Sequence, residues 1–268
     1  MSTSYFTDDS MLRRVIRETV VGFSAPRTLL MQAAHPVAFA GFFAHTGSLD
    51  DPYARLQRTA QVMDLVAWGP REEAEAATAR VRAIHAKIRG VIPEDAGPWP
   101  AGTPYAADDP ELLLWVLATL MDSASLVYGK YVARLSRAEL DALWADYRVV
   151  GNLFGLADSD MPADHAAFRA YMREMLLSGD LHVTDQAREL ATTIVFRPPV
   201  PPAAIPLREL VNQATIGLLP LTLRRQYRFF WDPLRAAALH GGAEGMKRLL
   251  VPLAPRRIRL IPQARGAP

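Results

Sequence analysis

Arg82, His85 and Arg89, in the stretch Arg82-Ala-Ile-His-Ala-Lys-Ile-Arg89, set a histidine between two arginines at offsets of minus three and plus four. On a helix those offsets put all three side chains on one stripe. A neutral imidazole can ligate a metal, and guanidiniums hold carboxylates through paired N–H donors. A haem presents both partners, an iron and two propionates. The plainer alternative is a solvated helix face with a chance histidine, since such triplets arise readily in Arg-rich chains.

The rest of the chain narrows the chemistry. There is no cysteine, which excludes disulfides, iron–sulfur clusters, zinc–thiolate sites and Cys nucleophiles, and favours a cytoplasmic address. Of six histidines, His45, His165, His182 and His240 fall in expected loops or on polar faces. His35 precedes Pro36 and reads as a hydrogen-bonded helix-end residue. His-x-x-x-His and Glu-x-x-His spacings are absent, as are Gly-x-Ser-x-Gly, Walker A and Gly-x-Gly-x-x-Gly. Zincins, di-iron bundles, serine hydrolases, P-loop enzymes and dinucleotide-binding enzymes are therefore unsupported. Asp122, Ser123 and Ser125 do not make a triad; in an apolar helix they need partners or a cavity.

Helical periodicity dominates the elements that must carry these residues. A first helix is expected over 10–22, and Arg27–Ala34 should end at His35-Pro36, with Val37–Phe43 following. Asp51-Pro52 opens a helix with Leu56, Ala60, Met63 and Ala67 in register. After Gly69-Pro70 a second helix repeats Ala74, Ala77, Val81, Ile84 and Ile88, with Gly90 as its C-terminal stop and His85 at the border of its buried face. Residues 93–108 read as a loop. Asp109-Pro110 opens a helix apolar on all sides, expected at the centre of the molecule. Ser136-x-x-Glu139 is a capping box leading into a helix through about Val150, and Gly151–Pro162 reads as a loop. Helices follow at 163–177 and 185–195. Arg197–Pro206 is a polyproline-type linker. The only β-like candidates are short, such as Arg256–Ile261.

Charge is unevenly spread. Residues 207–268 hold 11 Arg/Lys against 3 Asp/Glu, so the remainder is acidic although the net charge is only +2. The tail's arginines are interleaved with Leu, Phe, Trp and Pro, which suits packing on the acidic body or facing lipid headgroups better than nucleic acid. The N-terminal residues do not read as a signal peptide. No uninterrupted apolar run reaches the roughly 18–20 residues of a bilayer span.

Several motifs in order carry a resemblance: Leu30-Met-Gln-Ala-Ala-His-Pro36; Asp51-Pro-Tyr-Ala-Arg55-Leu-Gln-Arg58-Thr59; Arg80-Val-Arg-Ala-Ile-His85; Asp109-Pro-Glu-Leu-Leu-Leu-Trp115; and Ala118-Thr-Leu-Met-Asp-Ser123. Over about residues 11–196 the chain resembles the haem-b oxygenase superfamily of latex clearing protein and the MpaB-type oxygenases. The resemblance implies an all-α, globin-reminiscent multi-helix bundle enclosing a haem and an apolar pocket. It implies His85 as the proximal iron ligand, Arg82 and Arg89 supporting propionates or the ligand helix, and Thr119 in the pocket. Arg55, Arg58 and Thr59 align with the family's distal Arg-x-x-Lys-Thr element. Arg58 replaces the lysine; arginine effectively cannot lose its proton to ligate iron, so Arg58 is left as a hydrogen-bond donor towards bound dioxygen. Leu117 stands where many relatives have histidine.

The function so implied is haem-b-dependent oxygenation of a hydrophobic small molecule by dioxygen, with oxidative C=C cleavage as one outcome. Phe39, Phe42 and Phe43 are candidate walls of the cavity, or plain core. The rival readings are a non-catalytic haem- or lipid-binding protein of the same fold, peripheral to a membrane through its basic tail, and a fold that has lost its cofactor. The expected organisation is a helical core over 1–196, a Pro-rich linker over 197–206 and a basic helical part over 207–268 packed on the core.

Overall fold

The computed structural model describes residues 4–45 and 52–265, with the side chains of 44, 45, 52 and 55 outside the description. It is all-α apart from one two-stranded ribbon. The helices are α1 (Met11–Ile16), α2 (Ala25–Ala33), α3 (Pro36–His45), α4 (Pro52–Trp68) and α5 (Arg71–His85), followed by strands β1 (Arg89–Val91) and β2 (Pro104–Ala106). Then come α6 (Pro110–Tyr131), α7 (Arg137–Phe154), α8 (His165–Leu177), α9 (Asp185–Leu190), α10 (Ile205–Leu218), α11 (Leu221–Gln226), α12 (Pro233–Gly245), α13 (Val251–Leu253) and α14 (Arg256–Arg259).

The 22-residue helix α6 is the axis. Asp109 caps it by accepting from the Glu111 N–H at 2.9 Å, and Pro110 opens its first turn. Trp115, Ala118, Met121 and Thr119 are fully buried, and α1, α2, α3, α7 and α12 all pack on it. Length and composition alone would let α6 cross a membrane, but here it is wrapped by its neighbours. The capping box at Ser136 and Glu139 forms as expected. The helix it starts runs four residues past Val150 and stops at Gly155, whose φ of 106° suits glycine.

The Pro36 break also holds: α2 ends at Ala33, and His35 lies between it and α3. Three expectations fail for identifiable reasons. The first helix stops at Ile16 because Glu18 is drawn into a bridge with Leu260 and a 3-10 turn follows over Thr19–Ser24. The loop over 93–108 contains β2, whose Tyr105 lies so close to Gly90 that a Cβ there would stand 2.6 Å from its Oη. Arg256–Ile261 is mostly the short helix α14, with only Leu260 in a bridge.

Residues 205–264 enter the same core as the N-terminal helices. Leu219, Leu223 and Tyr227 are buried with Leu30 and Met31, and the Tyr227 hydroxyl donates to the Leu30 carbonyl at 2.7 Å. The buried Glu18 carboxylate accepts two N–H groups from Arg259, both at 2.8 Å.

Candidate functional site

Helices α4 and α5 form an antiparallel hairpin through Gly69-Pro70. Its buried residues among those described are Val66 and Ala67 on α4, and Ala74, Ala77 and Thr78 on α5. All lie near the turn. Further along α4, Gln57, Arg58, Thr59, Ala60 and Gln61 are exposed in succession, while Tyr53, Leu56 and Met63 of the same helix rest against the core. A helix of average polarity normally buries one stripe. The hairpin is thus buried at its turn and held again at the far end of α4 by Tyr53, whose hydroxyl donates to the Ile194 carbonyl at 3.0 Å.

His85 is the last residue of α5 and is half-buried. Arg82, one turn before it, donates from Nη1 to the Leu153 carbonyl at the end of α7. Its stem lies against Gly155, where a Cβ would come within 3.2 Å of Arg82 Cδ. The single helical stripe expected from Arg82 to Arg89 does not form. The helix ends at His85, the Ile88 carbonyl accepts from the Ala107 N–H at 2.9 Å, and the chain enters β1. Arg89 is therefore on a strand, exposed and ion-paired with Asp108 at 2.7 Å. Nor is Gly90 a helix stop; it lies within β1.

Thr119 is fully buried, but its partners lie elsewhere. Its hydroxyl donates to the Val116 carbonyl at 2.8 Å and accepts from Gln32 Nε2 at 3.1 Å, facing α2. Leu117 faces α7: its Cδ2 would be 2.9 Å from a Cβ at Gly151. The side chain of Arg55 is outside the described residues. Phe39, Phe42 and Phe43 pack on one another, with ring centroids 4.5–5.7 Å apart. They join α3 to the same flank, because a Cβ at Gly41 would stand 2.9 Å from Ile88 Cγ2.

A cavity of about 600 Å³ runs beside Arg82, lined by Tyr5, Glu75, Thr78, Ala79, Asn152 and Leu153 among others. It follows the α5 face towards His85, is about as polar as apolar, and is walled by the carboxylates of Glu72 and Glu75. It does not suit a porphyrin ring, which needs apolar walls.

Sequence reasoning missed a buried polar network behind the site. Arg27, almost wholly buried, pairs with Asp122 at 2.8 Å and donates to Ser123 Oγ at 2.6 Å and the Leu218 carbonyl at 2.9 Å. Burial pushes the Arg27 guanidinium down and the Asp122 charge draws it back up. Asp122 and Ser123 were legible as needing partners; Arg27, inside an apolar run, gave no sign of being one. Trp115 was also missed: it is fully buried on α6, and its indole N–H has no hydrogen-bond partner among the described residues.

His35 is the most perturbed imidazole. Burial lowers it to about 4; Nδ1 accepts from the Ala38 N–H at 3.3 Å, and the ring lies 5.5 Å from Trp99. It is a neutral, structural helix-break histidine.

With the fold and this geometry in view, the comparisons with known proteins are informative. The family model described as ER-bound oxygenase mpaB/B'/rubber oxygenase, catalytic domain, matches residues 13–248, and the chain belongs to that oxygenase family. Two uncharacterized mycobacterial proteins, one from Mycobacterium bovis and one from Mycobacterium tuberculosis, are each 25% identical over 187 residues, covering 68% of this chain and 68% of each relative. No solved structure matches the chain.

Proposed function

We propose that the chain is a haem-b-dependent oxygenase for a hydrophobic small molecule, with His85 as the axial ligand. What supports this reading is the family match over residues 13–248 together with a half-buried imidazole at the end of α5, a helix tied to α7 through Arg82. Among the described residues no three His, Asp or Glu come together to hold a bare metal ion. A lone histidine suits a metal that brings most of its ligands with it.

The residues fit such a group in part. His85 would supply a nitrogen to hold the iron. The Phe39–Phe42–Phe43 stack supplies apolar wall, the Trp115 N–H is a buried donor in need of an acceptor, and Arg82 brings a cation one turn from the ligand. Arg89 and Thr119 do not belong to this set, since their partners are Asp108 in one case and Gln32 and Val116 in the other.

Haem, when bound, supplies the dioxygen chemistry. The chain's contributions are separate. Arg82 fixes the last turn of α5 to the end of α7, and with it the direction of the imidazole. Arg58 carries only N–H donors on its guanidinium, so its contribution would be hydrogen-bond donation. Thr59 can both donate and accept. The Phe39–Phe42–Phe43 surface supports a hydrophobic substrate, and oxidative cleavage of a C=C bond is the reaction proposed for it.

The test is the visible spectrum of the protein expressed with ample haem supply, beside His85→Ala. A Soret band that the substitution abolishes or shifts supports the assignment. Stoichiometric haem with an unchanged spectrum in His85→Ala overturns it. Oxygen consumption with unsaturated lipids or terpenoids then separates catalysis from ligand carriage.

A further inference from the structure

The surface between residues 205 and 258 differs from the rest of the molecule. Of fourteen large apolar side chains exposed among the described residues, ten lie there. Four cluster within ten residues: Leu249 (62% exposed), Leu250 (63%), Leu253 (80%) and Ile258 (62%). The first three share one side of the continuous helical run made by α12, a π turn over Met246–Leu250 and α13. Ala243 and Met246, earlier in the run, pack against Val127 and Tyr131 of α6, and Val251 rests on the core, while the leucines stay more than 60% exposed. The leucines are therefore spare to the core.

Cations surround them. After Glu244 the chain has six Arg or Lys and no Asp or Glu. Of these, Arg259 reaches Glu18, Arg248 reaches Glu244 at 2.9 Å, Lys247 reaches the Gly129 carbonyl at 3.1 Å and Arg265 reaches the Leu260 carbonyl at 3.1 Å. Arg256 and Arg257 sit at exposed positions on α14 beside Ile258.

We infer that residues 247–258 form a docking surface for an anionic phospholipid bilayer. Leu249, Leu250, Leu253 and Ile258 enter the boundary between headgroups and acyl chains, and Arg256 and Arg257 lie among the phosphates. The mixture of side chains selects this partner. An acidic protein surface would satisfy the guanidiniums but set carboxylates against the leucines. A bilayer accepts both, because arginine stems run beside inserted leucines and leave their heads in the phosphate layer.

Flotation of the full chain with vesicles tests this without cofactor or activity, so its failure is distinct from failure of the haem reading. Phosphatidylcholine mixed with phosphatidylglycerol should carry the protein up, less so at high salt, and phosphatidylcholine alone should carry little. Leu250→Ser with Leu253→Ser should lower partitioning roughly tenfold per leucine. Arg256→Ser with Arg257→Ser should remove most of the salt dependence. Both double variants should melt like the parent, since the sites are exposed. Absence of flotation by the parent, or flotation indifferent to both pairs of substitutions, overturns the inference. So does a parent dimer that Leu250→Ser/Leu253→Ser turns into a monomer without any vesicle binding, because the surface then joins two copies.

Discussion

His35 and His85 sit some fifty positions apart in the sequence and in opposite surroundings. His35 is enclosed, its Nδ1 engaged by the Ala38 N–H, and burial lowers it from 6.5 to about 4. Between those values the unfolded chain takes up a proton that the folded chain refuses. The stabilisation is complete above pH 6.5 and is lost as pH falls towards 4, by ~3 kcal/mol in all. His35→Asn, which keeps an acceptor near Ala38, should show a shallower fall in melting temperature across that window. A slope equal to the parent's would assign the acid sensitivity to other groups. Trp115 offers a second test. Its N–H bonds to nothing among the described residues, so Trp115→Phe should cost the apo protein little beyond the lost ring area. In the haem reading that N–H finds its acceptor on the cofactor. Haemin titration should then show roughly tenfold weaker uptake by Trp115→Phe, the size of one buried hydrogen bond. Equal uptake would remove Trp115 from the site.

How far the sequence could be read depended on whether an element is decided locally. The cap at Asp109, the capping box at Ser136 and the His35-Pro36 break were all legible because each is fixed within a few residues. The end of α5 was not. Arg82, His85 and Arg89 have helical spacing, but Ile88 and Gly90 are taken by Ala107 and Tyr105, and nothing nearby announces that pairing. The buried ion pair of Arg27 with Asp122 was not legible either, because it joins α2 to α6 across 95 positions. That pair gives a prediction. Asp122→Ala should destabilise the protein by about 3–5 kcal/mol, because it leaves a buried guanidinium with only Ser123 and a carbonyl. Arg27→Met combined with Asp122→Leu should recover most of that loss, as measured by urea denaturation. Failure of the double variant to recover would mean the pair holds the α2–α6 crossing by geometry as well as charge. Gly155 acts on α5 from α7. Its φ of 106° and its contact with Arg82 mean that Gly155→Ala should cost about 1 kcal/mol and also displace Arg82. A change in haem affinity larger than the change in stability would show that α7 positions the ligand helix.

The acidic and basic halves of the chain are joined, and the joints are specific. Arg27 reaches the Leu218 carbonyl, Tyr227 reaches Leu30, Gln226 exchanges hydrogen bonds with the backbone of Leu181 and Val183, and Arg259 closes on Glu18. Charge asymmetry made an association legible, but most of these contacts are neutral; Arg259–Glu18 is the ion pair among them. The family match running to residue 248 agrees with a basic part that belongs to the catalytic fold. Removing residues 207–268 should therefore do more than free a surface. It would uncover the core around Leu30 and Met31 where Leu219, Leu223 and Tyr227 now sit, and leave Glu18 without its guanidinium in an apolar setting. The expected result for residues 1–206 alone is a helical chain without a cooperative thermal transition, and with dye-binding apolar surface. Arg259→Ala in the full chain isolates one joint. The double hydrogen bond to a carboxylate that is almost wholly buried predicts a loss of about 3–5 kcal/mol, and Glu18→Gln in the same background should recover part of it by removing the stranded charge. A truncated chain that melts cooperatively near the parent temperature would instead make residues 207–268 an appendage. The lipid-facing leucines would then lie on a separable module rather than on the outer wall of the oxygenase fold.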